Sequence, residues 1–289
     1  MKDYMALIRI PQYTKNLFIY LPLFFALKLS DLHLIAKVTV AFIAFSLIAS
    51  SVYIFNDLRD REEDRRHPQK RNRPIASGRI SETKAKSAMA LLFIAGMTMS
   101  ALLSLTMLYL VLIYTALNLA YTLKLKHVAI LDIVTIAIGF VLRIFVGGAV
   151  GEVKIYIWIV IMTFLLALFL ALGKRRDDVL IYLNTNSLPI KSVDGYNLVF
   201  IDTSMMIMAA ITIVAYIMYT ISPEIISKFG TDRLYLTALF VLLGILRYLQ
   251  LSLVMGNSGN PTELLLKDRF IRIVIVGWLV TFGVLIYLK

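Results

Sequence analysis

The chain alternates between long apolar blocks and short polar segments. A helix needs about 20 apolar residues to cross a bilayer, and several blocks reach that length with almost no charge. Helices satisfy their own backbone hydrogen bonds there. The pattern predicts an all-α, polytopic membrane protein of about nine helices. The predicted helices span residues 16–30, 36–56, 84–104, 106–123, 128–149, 154–173, 197–220, 233–255 and 270–288.

The composition agrees with a membrane protein. Hydrophobic residues make up 60% of the 289 positions, and the mean hydropathy is +0.81. Soluble domains have about 45–50% apolar residues. There is no cysteine, which excludes disulfides. Since no repeat, low-complexity tract or soluble domain interrupts the pattern, we expect a single membrane domain over residues 1–289. No cleavage site follows the first apolar run, so we expect no cleaved signal peptide.

Positive charge is concentrated in alternate polar segments. The N-terminus and the connections after the second, fourth, sixth and eighth predicted helices hold 22 of the 30 Lys and Arg residues. Basic loops are typical of the cytosolic side of a membrane, and they also attract anionic lipid. The net charge of +12 therefore needs no nucleic-acid partner. We expect a multi-pass protein of the plasma or inner membrane, with a cytosolic N-terminus, an external C-terminus and a cytosolic active site.

An acidic motif follows the second predicted helix and comprises Asn56, Asp57, Asp60 and Asp64. On a continuous helix its three aspartates fall within about 60° of one another. Carboxylates crowded in this way repel unless a cation neutralises them, and Mg²⁺ bridges carboxylates to substrate phosphates. We predict a Mg²⁺–diphosphate site in which the aspartates are metal ligands and catalytic residues, and Asn56 binds substrate. The alternative is a solvated helix end whose aspartates pair with neighbouring arginines.

A basic loop, residues 67–78, comes directly after the acidic motif. It carries His67, Lys70, Arg71 and Arg73, and two prolines stiffen it. Arg grips phosphate with two parallel donors, and Lys supplies a point charge. These four residues are therefore predicted to bind substrate phosphates. The alternative is that they only set the orientation of the chain in the membrane.

Two ionisable residues lie within the fifth predicted helix. Asp132 is about one turn into it and Arg143 lies deeper. Charged groups in such positions are costly and usually face the interior of a bundle. The two are about 16 Å apart along the helix axis, too far to pair directly, but both could line one cavity. For Arg143 two roles are open, a contact to a substrate phosphate or a structural pair.

The other candidate substrate-binding residues lie on two connections. Lys124 is on the short connection between the fourth and fifth predicted helices, where it could serve only as an orientation signal. Near the end of the sixth helix, Lys174 and Asp178, at i and i+4, form either a patch that binds substrate or a helix-end ion pair, and Arg175 is a further candidate for binding substrate phosphate. Tyr196 lies just before the seventh helix and completes the set.

The acidic motif, Asn-Asp-x-x-Asp-x-x-x-Asp from Asn56 to Asp64, resembles the first aspartate motif of the UbiA superfamily of intramembrane prenyltransferases. The resemblance implies nine transmembrane helices, Mg²⁺ dependence and acidic motifs on the second and sixth connections. Three further segments are similar to the decaprenyl-phosphate phosphoribosyltransferase branch of that superfamily. They run from His67 to Gly78, from Arg247 to Leu249 and from Gly256 to Arg269.

The sixth connection departs from the superfamily pattern, because no Asp-x-x-x-Asp stands there. This counts against an aromatic prenyltransferase and is compatible with the phosphoribosyl branch. That branch implies transfer of a 5-phosphoribosyl group from phosphoribosyl pyrophosphate to a polyprenyl phosphate of the decaprenyl type, releasing pyrophosphate, for the synthesis of cell-envelope arabinose donors. The main alternative is a prenyltransferase that uses a polyprenyl diphosphate, and a transporter is a distant one. Homo-oligomers are left open.

Overall fold

The computed structural model describes residues 2–66, 70–185, 191–256, 264 and 267–287. Within these residues, eight helices are long and apolar enough to cross a membrane by length and composition. We number them α1 to α8 in chain order. Their bounds are Leu32–Arg59, Glu82–Leu103, Leu105–Leu123, Leu131–Val150, Ile157–Thr185, Leu198–Thr220, Arg233–Val254 and Arg269–Tyr287.

The first predicted span has a broken helical structure. A 3₁₀ helix, Ile10–Tyr20, leads directly into a short α-helix, Leu21–Phe25, and a further short helix, Lys2–Leu7, precedes them. Each of the two successive pieces has a proline within its first two positions. Proline fits a first helical turn but cannot donate the hydrogen bond that would continue a preceding helix. We call residues 10–25 the first segment.

Polar side chains attach the first segment to α1. Tyr13, Asn16 and Tyr20 each form a hydrogen bond to a hydroxyl of that helix, and such paired groups avoid the cost of unsatisfied polar atoms in an apolar environment. The three pairs are Tyr13–Ser50 at 2.9 Å, Asn16–Ser46 at 2.8 Å and Tyr20–Thr39 at 2.9 Å. Gly147 of α4 lets a backbone come close, because a Cβ there would lie 1.9 Å from the carbonyl oxygen of Ile19.

Side-chain caps determine where several helices begin. Asp31 accepts hydrogen bonds from two backbone N–H groups at the start of α1, and Asn197 accepts one at the start of α6. Ser104 alone separates α2 from α3; its backbone is extended and its hydroxyl accepts from Met107 N. Ser, Asp and Asn are preferred at this position because they satisfy the free N–H groups of a first turn. The predicted helices 84–104 and 106–123 also leave a single residue between them, and this short connection is confirmed.

The chain forms two compact units. The first contains residues 1–126 and 138–155, and the second contains residues 127–137 and 156–289. In the first unit the core is built mainly from α1, α3 and α4, with Phe45 fully buried. The core of the second unit is built around α5 and α6, with Ile201 fully buried. The expectation of a single domain stays a prediction.

Large apolar side chains also cover much of the outside of the long helices. Leu32, Leu102 and Val199 are examples, and each exposes more than three quarters of its surface. Water would disfavour such a surface, whereas lipid tails accept it. This exposure agrees with the helix lengths in indicating an integral membrane protein.

Candidate functional site

The acidic motif lies where α1 ends. Asp57 is in the last turn of α1, Asp60 caps its end, and a short helix, Arg61–Arg66, carries Asp64. The motif therefore does not lie on one continuous helix, because the helix is interrupted at Asp60. Backbone hydrogen bonds from Asp60 N to Asn56 O (2.9 Å) and from Asp64 N to Asp60 O (2.8 Å) keep the spacing nearly helical.

Arg73 from the basic loop binds two of the three aspartates. Its Nη1 donates to Asp57 Oδ1 at 3.0 Å and to Asp64 Oδ2 at 2.7 Å. Both carboxylates are buried, with 3% of each residue exposed. Arg9, from the N-terminus, also donates to Asp57 Oδ1. The acidic motif and the basic loop, which the sequence predicted separately, therefore contribute to one charged cluster.

The third aspartate pairs with a lysine from the connection between α3 and α4. The buried Lys126 contacts Asp60 through its ammonium group. Lys124, the residue predicted to bind substrate, is exposed at the end of α3. Asn56 Oδ1 accepts a hydrogen bond at 3.2 Å from Thr122 Oγ1, near the end of α3. The end of α3 and the connection after it therefore contact both Asn56 and Asp60 of the motif.

The solvated-end alternative predicts that adjacent arginines neutralise the motif. Arg61 instead contacts Glu62 and Glu82, both exposed. The hydrogen bond from Arg61 lowers the pKa of Glu62. The described cation partners of the aspartates come from the N-terminus, the basic loop and the α3–α4 connection. Long-range partners of this kind indicate a built site.

A tight turn positions Arg73. Ser77 N donates to Arg73 O at 2.9 Å, and Ile80 N donates to Pro74 O at 3.0 Å. The turn ends at Gly78, whose φ of 78° is a left-handed value that suits glycine. Ile80 is buried in a small apolar cluster that includes residues of α1 and α2. The loop backbone is thus fixed on both sides of the arginine.

The remaining predictions on the basic loop have different outcomes. Lys70 is partly buried and Arg71 is exposed. His67 lies outside the described residues, as do positions 257–263, 265 and 266 of the tail motif. Phosphate binding by His67, Lys70 and Arg71 stays a prediction.

Arg143 is buried in the first unit, with 4% of its surface exposed. Its Nε donates to Asn16 Oδ1 at 2.8 Å, its Nη1 to Gly139 O at 2.6 Å, and its Nη2 to Tyr114 OH at 3.4 Å. Three aromatic rings surround the guanidinium at 4.8–5.3 Å, those of Phe45, Tyr114 and Phe140. In the described part of the chain, neutral acceptors and rings hold this cation, and no carboxylate contacts it.

A second charged cluster lies in the second unit. Arg175 Nε donates to Asp132 Oδ2 at 2.6 Å, and Arg175 also contacts Asp178. Tyr196 OH donates to Asp132 Oδ1 at 2.6 Å and accepts from Ile130 N at 2.6 Å. Burial, followed by the hydrogen bond to Asp132, raises the pKa of Tyr196, so its hydroxyl stays a donor. Asp132 and Arg175 are almost completely buried, which makes their pairing obligatory.

The position of this cluster within α5 corrects one predicted boundary. The sixth predicted helix ends at residue 173, but α5 continues to Thr185, so Lys174, Arg175 and Asp178 lie inside it. Arg175, at i, i+3 to Asp178, makes an ion pair with it. Lys174 is exposed. The hydrophobic pattern ends at residue 173, whereas partners elsewhere in the fold stabilise three further turns.

Several charged residues that form pairs in the structure have no motif in the sequence that marks them as site residues. Arg9 and Lys126 were counted only as orientation signals. Arg176 donates to Asp202 at 2.7 Å and to Ser252 O at 2.6 Å, although the pattern gave no reason to pair them. The only available signal was that such charges lie close to apolar blocks, where an unpaired charge is costly.

The donor set of the acidic motif fits Mg²⁺. It offers carboxylate and amide oxygens, the ligands that this ion prefers. Each aspartate already holds a cationic side chain. Among the described residues, no group of three or more acidic, His or Cys side chains is arranged to hold a metal without rearrangement. A metal ion would therefore take over oxygens that Arg9, Arg73 and Lys126 now occupy.

Comparisons with known proteins agree on one family. A sequence model described as the UbiA prenyltransferase family matches residues 17–286. A decaprenyl-phosphate phosphoribosyltransferase of Mycolicibacterium smegmatis is 34% identical over 87% of this chain and 81% of its own length. The protein of the same name from Mycobacterium tuberculosis is 29% identical over 86% of this chain and 81% of its own length.

Solved structures give the same fold. The structure of a UbiA homolog from Archaeoglobus fulgidus bound to GPP and Mg²⁺ superposes with a TM-score of 0.72. The match covers 98% of this chain and 99% of that protein, at 18% sequence identity. At this identity the likeness establishes the architecture alone. The all-helical membrane fold predicted from the sequence is confirmed.

Proposed function

The chain belongs to the UbiA prenyltransferase family, and from that premise we propose that it is a phosphoribosyltransferase acting on a membrane lipid. It would transfer a 5-phosphoribosyl group from phosphoribosyl pyrophosphate to a polyprenyl phosphate and release pyrophosphate. The observation that carries the proposal is Arg73, which brings the basic loop onto Asp57 and Asp64. The relatives named decaprenyl-phosphate phosphoribosyltransferase support this branch of the family.

Asp57, Asp60 and Asp64, with Asn56, would hold Mg²⁺ in the enzyme. The ion would supply Lewis-acid stabilisation of the negative charge on the leaving pyrophosphate. The solved relative from Archaeoglobus fulgidus contains Mg²⁺, which supports the cofactor. Arg73, released from the aspartates, would then be free to bind phosphate oxygens of the donor. Its planar fork of N–H groups suits that exchange of one anion for another.

The basic residues around the motif would orient the donor. Lys70, Arg71 and His67 from the loop would bind its remaining phosphates, and Lys126 would add a buried positive charge. Lys124 is a further candidate on the same connection. In the second unit, Lys174, Arg175, Asp178 and Tyr196 are proposed to bind substrate. The hydrogen bonds and ion pairs of Arg175 and Tyr196 give them fixed orientations, which is what a binding site requires.

The reaction needs little proton transfer. A phosphate oxygen of the lipid attacks C1 of the ribose, and the bond from C1 to the pyrophosphate oxygen breaks. The leaving pyrophosphate takes the bonding electrons. A phosphate monoester is already ionised near pH 7, so no strong general base is required. Positioning and electrostatic stabilisation by the cationic side chains would account for most of the rate.

The charge pattern supports an active site on the cytosolic face. The acidic motif and the basic loop lie on a connection rich in Lys and Arg, which is typical of cytosolic loops. Phosphoribosyl pyrophosphate is a water-soluble substrate, and a cytosolic site would give it direct access. We therefore place the protein in the plasma or inner membrane with its site facing the cytosol.

A labelled-donor assay tests the proposal. Purified protein in lipid nanodiscs is incubated with Mg²⁺, decaprenyl phosphate and phosphoribosyl pyrophosphate labelled in the ribose. We expect a labelled lipid, and at least a hundredfold less of it with Asp64→Asn. A parallel reaction with geranylgeranyl diphosphate and an aromatic acceptor tests the prenyltransferase alternative. Prenylated product without any labelled ribosyl lipid would overturn the proposal.

A further inference from the structure

Lys15 lies on the first segment, near Arg143. The segment is a 3₁₀ helix here, with three residues per turn, so Lys15 and Phe18 share a face. The Phe18 ring packs edge-on against Phe140 at 5.0 Å, and the guanidinium of Arg143 lies 5.3 Å from the Phe140 ring. The next residue, Asn16, accepts a hydrogen bond from Arg143 Nε. Two contacts of the first segment, made by the residue next to Lys15 and by the residue one turn further on, therefore place Lys15 near Arg143.

The cations at this place have no described acidic partner. Neither Lys15 nor Arg143 contacts a carboxylate within the residues that the structure describes. The positive charges of Arg143 and Arg9 both act on Lys15. Bringing like charges together in a partly dehydrated place is unfavourable, and an anion bound between them removes the cost.

Arg143 has unused hydrogen-bonding capacity. A guanidinium carries five N–H donors, and the contacts given above use three of them. Its three acceptors are neutral groups, which orient the side chain without neutralising it. Asn16 is itself fixed through its donation to Ser46 Oγ at 2.8 Å. The guanidinium is therefore fixed in place and keeps its full charge, as an anion subsite requires.

We propose that Lys15 and Arg143 form an anion subsite that takes a phosphate monoester, the head group of the lipid acceptor. The subsite is distinct from the acidic motif, and Arg9 links the two because it contacts Asp57 and also acts electrostatically on Lys15. The inference rests on the proposed function for its choice of lipid. It adds Lys15, which the sequence analysis did not select, and it decides between the two roles left open for Arg143.

The surface of the first segment favours a lipid over a soluble ligand. Ile10 and Leu17, on either side of Lys15 in the sequence, leave 42% and 53% of their surfaces exposed. Exposed apolar side chains next to a cationic subsite suit a molecule with a phosphate head and a hydrocarbon tail. The 5-phosphate of the donor has the same monoester chemistry, so the experiment must separate the two sources.

Direct binding tests the subsite without any turnover. Farnesyl phosphate, farnesol and phosphoribosyl pyrophosphate are each titrated into purified protein in detergent, and the dissociation constants are measured. Lys15→Gln should weaken farnesyl phosphate binding about 10- to 100-fold, in line with the loss of one charge-assisted hydrogen bond. It should leave farnesol binding unchanged. Lys15→Arg should restore the affinity for farnesyl phosphate to within about threefold of that of the unmodified protein.

The control is Lys28→Gln, which removes an exposed lysine that follows the same segment. It should bind all three ligands like the unmodified protein, and melting temperatures report whether each variant is folded. If Lys15→Gln weakened the binding of phosphoribosyl pyrophosphate alone, the lipid assignment would be overturned, because the subsite would then bind the donor. Unchanged binding of both phosphates by folded Lys15→Gln would overturn the subsite. Because no transfer is measured, failure of the proposed reaction would be seen separately.

Discussion

Replacing Arg73 by Gln removes the cation that joins two buried aspartates. Its Nη1 is 3.0 Å from Asp57 Oδ1 and 2.7 Å from Asp64 Oδ2. Asp57 keeps Arg9, but Asp64 loses the cation contact that the described residues give it. Removing one member of a buried ion pair costs about 3–5 kcal/mol, and an exposed pair contributes less than about 1 kcal/mol. Since 28% of the Arg73 side chain is exposed, we expect a loss of about 2 kcal/mol.

The loss should depend on Mg²⁺, because the metal and Arg73 compete for the same oxygens. In EDTA, Arg73→Gln should lower the melting temperature by about 4–8 °C. Mg²⁺ should reverse most of that loss and should stabilise the variant more than the unmodified protein. Without the competing guanidinium, the variant should bind Mg²⁺ about tenfold more tightly, which corresponds to about 1.4 kcal/mol. Turnover should nevertheless fall, because the donor loses a phosphate ligand.

Thermal unfolding in detergent, followed over a Mg²⁺ titration without substrate, measures both effects. Arg71→Gln is the matched control, since this exposed loop arginine lies next to the same turn. It should change neither the melting temperature nor the Mg²⁺ affinity. Equal stabilisation of the unmodified protein and Arg73→Gln by Mg²⁺ would refute the reasoning, because the metal would then not be using the oxygens that Arg73 holds.

Three further changes test other parts of the structure. Gly147→Ala would place a methyl group 1.9 Å from a backbone carbonyl oxygen of the first segment and should lower the stability by about 3 kcal/mol. Gly283→Ala adds a methyl group with nothing within 4 Å and should stabilise α8 by up to about 1 kcal/mol, so the melting temperatures of the two variants should move in opposite directions. Lys126→Met should lower kcat/KM at least tenfold by leaving a motif carboxylate without its partner, while the exposed Lys84→Met should not. A hydrogen bond from Arg247 lowers the pKa of Asp268. The contribution of Asp268 to stability is therefore complete above the ordinary carboxyl pKa of about 4 and is lost as the pH falls through the lowered pKa. Asp268→Asn should cost about 1 kcal/mol at pH 7 and progressively less as the pH falls below about 4, as measured by chemical unfolding.

The sequence predicted features that depend on local pattern. Apolar blocks fix the long helices because the bilayer leaves the backbone few alternatives. The spacing of Asp57, Asp60 and Asp64 indicated a shared site, and Arg73 was selected because a stiff basic loop beside acids suits phosphate. Both inferences use residues close together in the chain. The structure brings Arg73 to two of the aspartates, although the helix that carries them is interrupted.

Long-range pairing could not be read from the chain. Lys124 and Lys126 are equivalent as orientation signals, and only the path of the chain after α3 decides that Lys126 contacts Asp60. Arg9 is 48 residues from Asp57. Arg175 pairs with Asp178 and also with the buried Asp132, which contacts the arginine from another helix. In each case a tertiary contact selects one charge among several that the sequence presents alike.

The balance of charge in the first unit links the acidic motif to the proposed lipid subsite. The acidic motif and the proposed subsite together hold three carboxylates and five cations, so the surplus is two positive charges, and a bound Mg²⁺ would raise it to four. The five cations are Arg9, Lys15, Arg73, Lys126 and Arg143. A phosphate monoester carries about −1.5 to −2 at pH 7, so the lipid head alone would balance about half of that surplus. The rest would offset part of the negative charge of the donor's diphosphate. A site that has to hold two phosphorylated substrates at once needs this excess, and a site that binds metal alone does not.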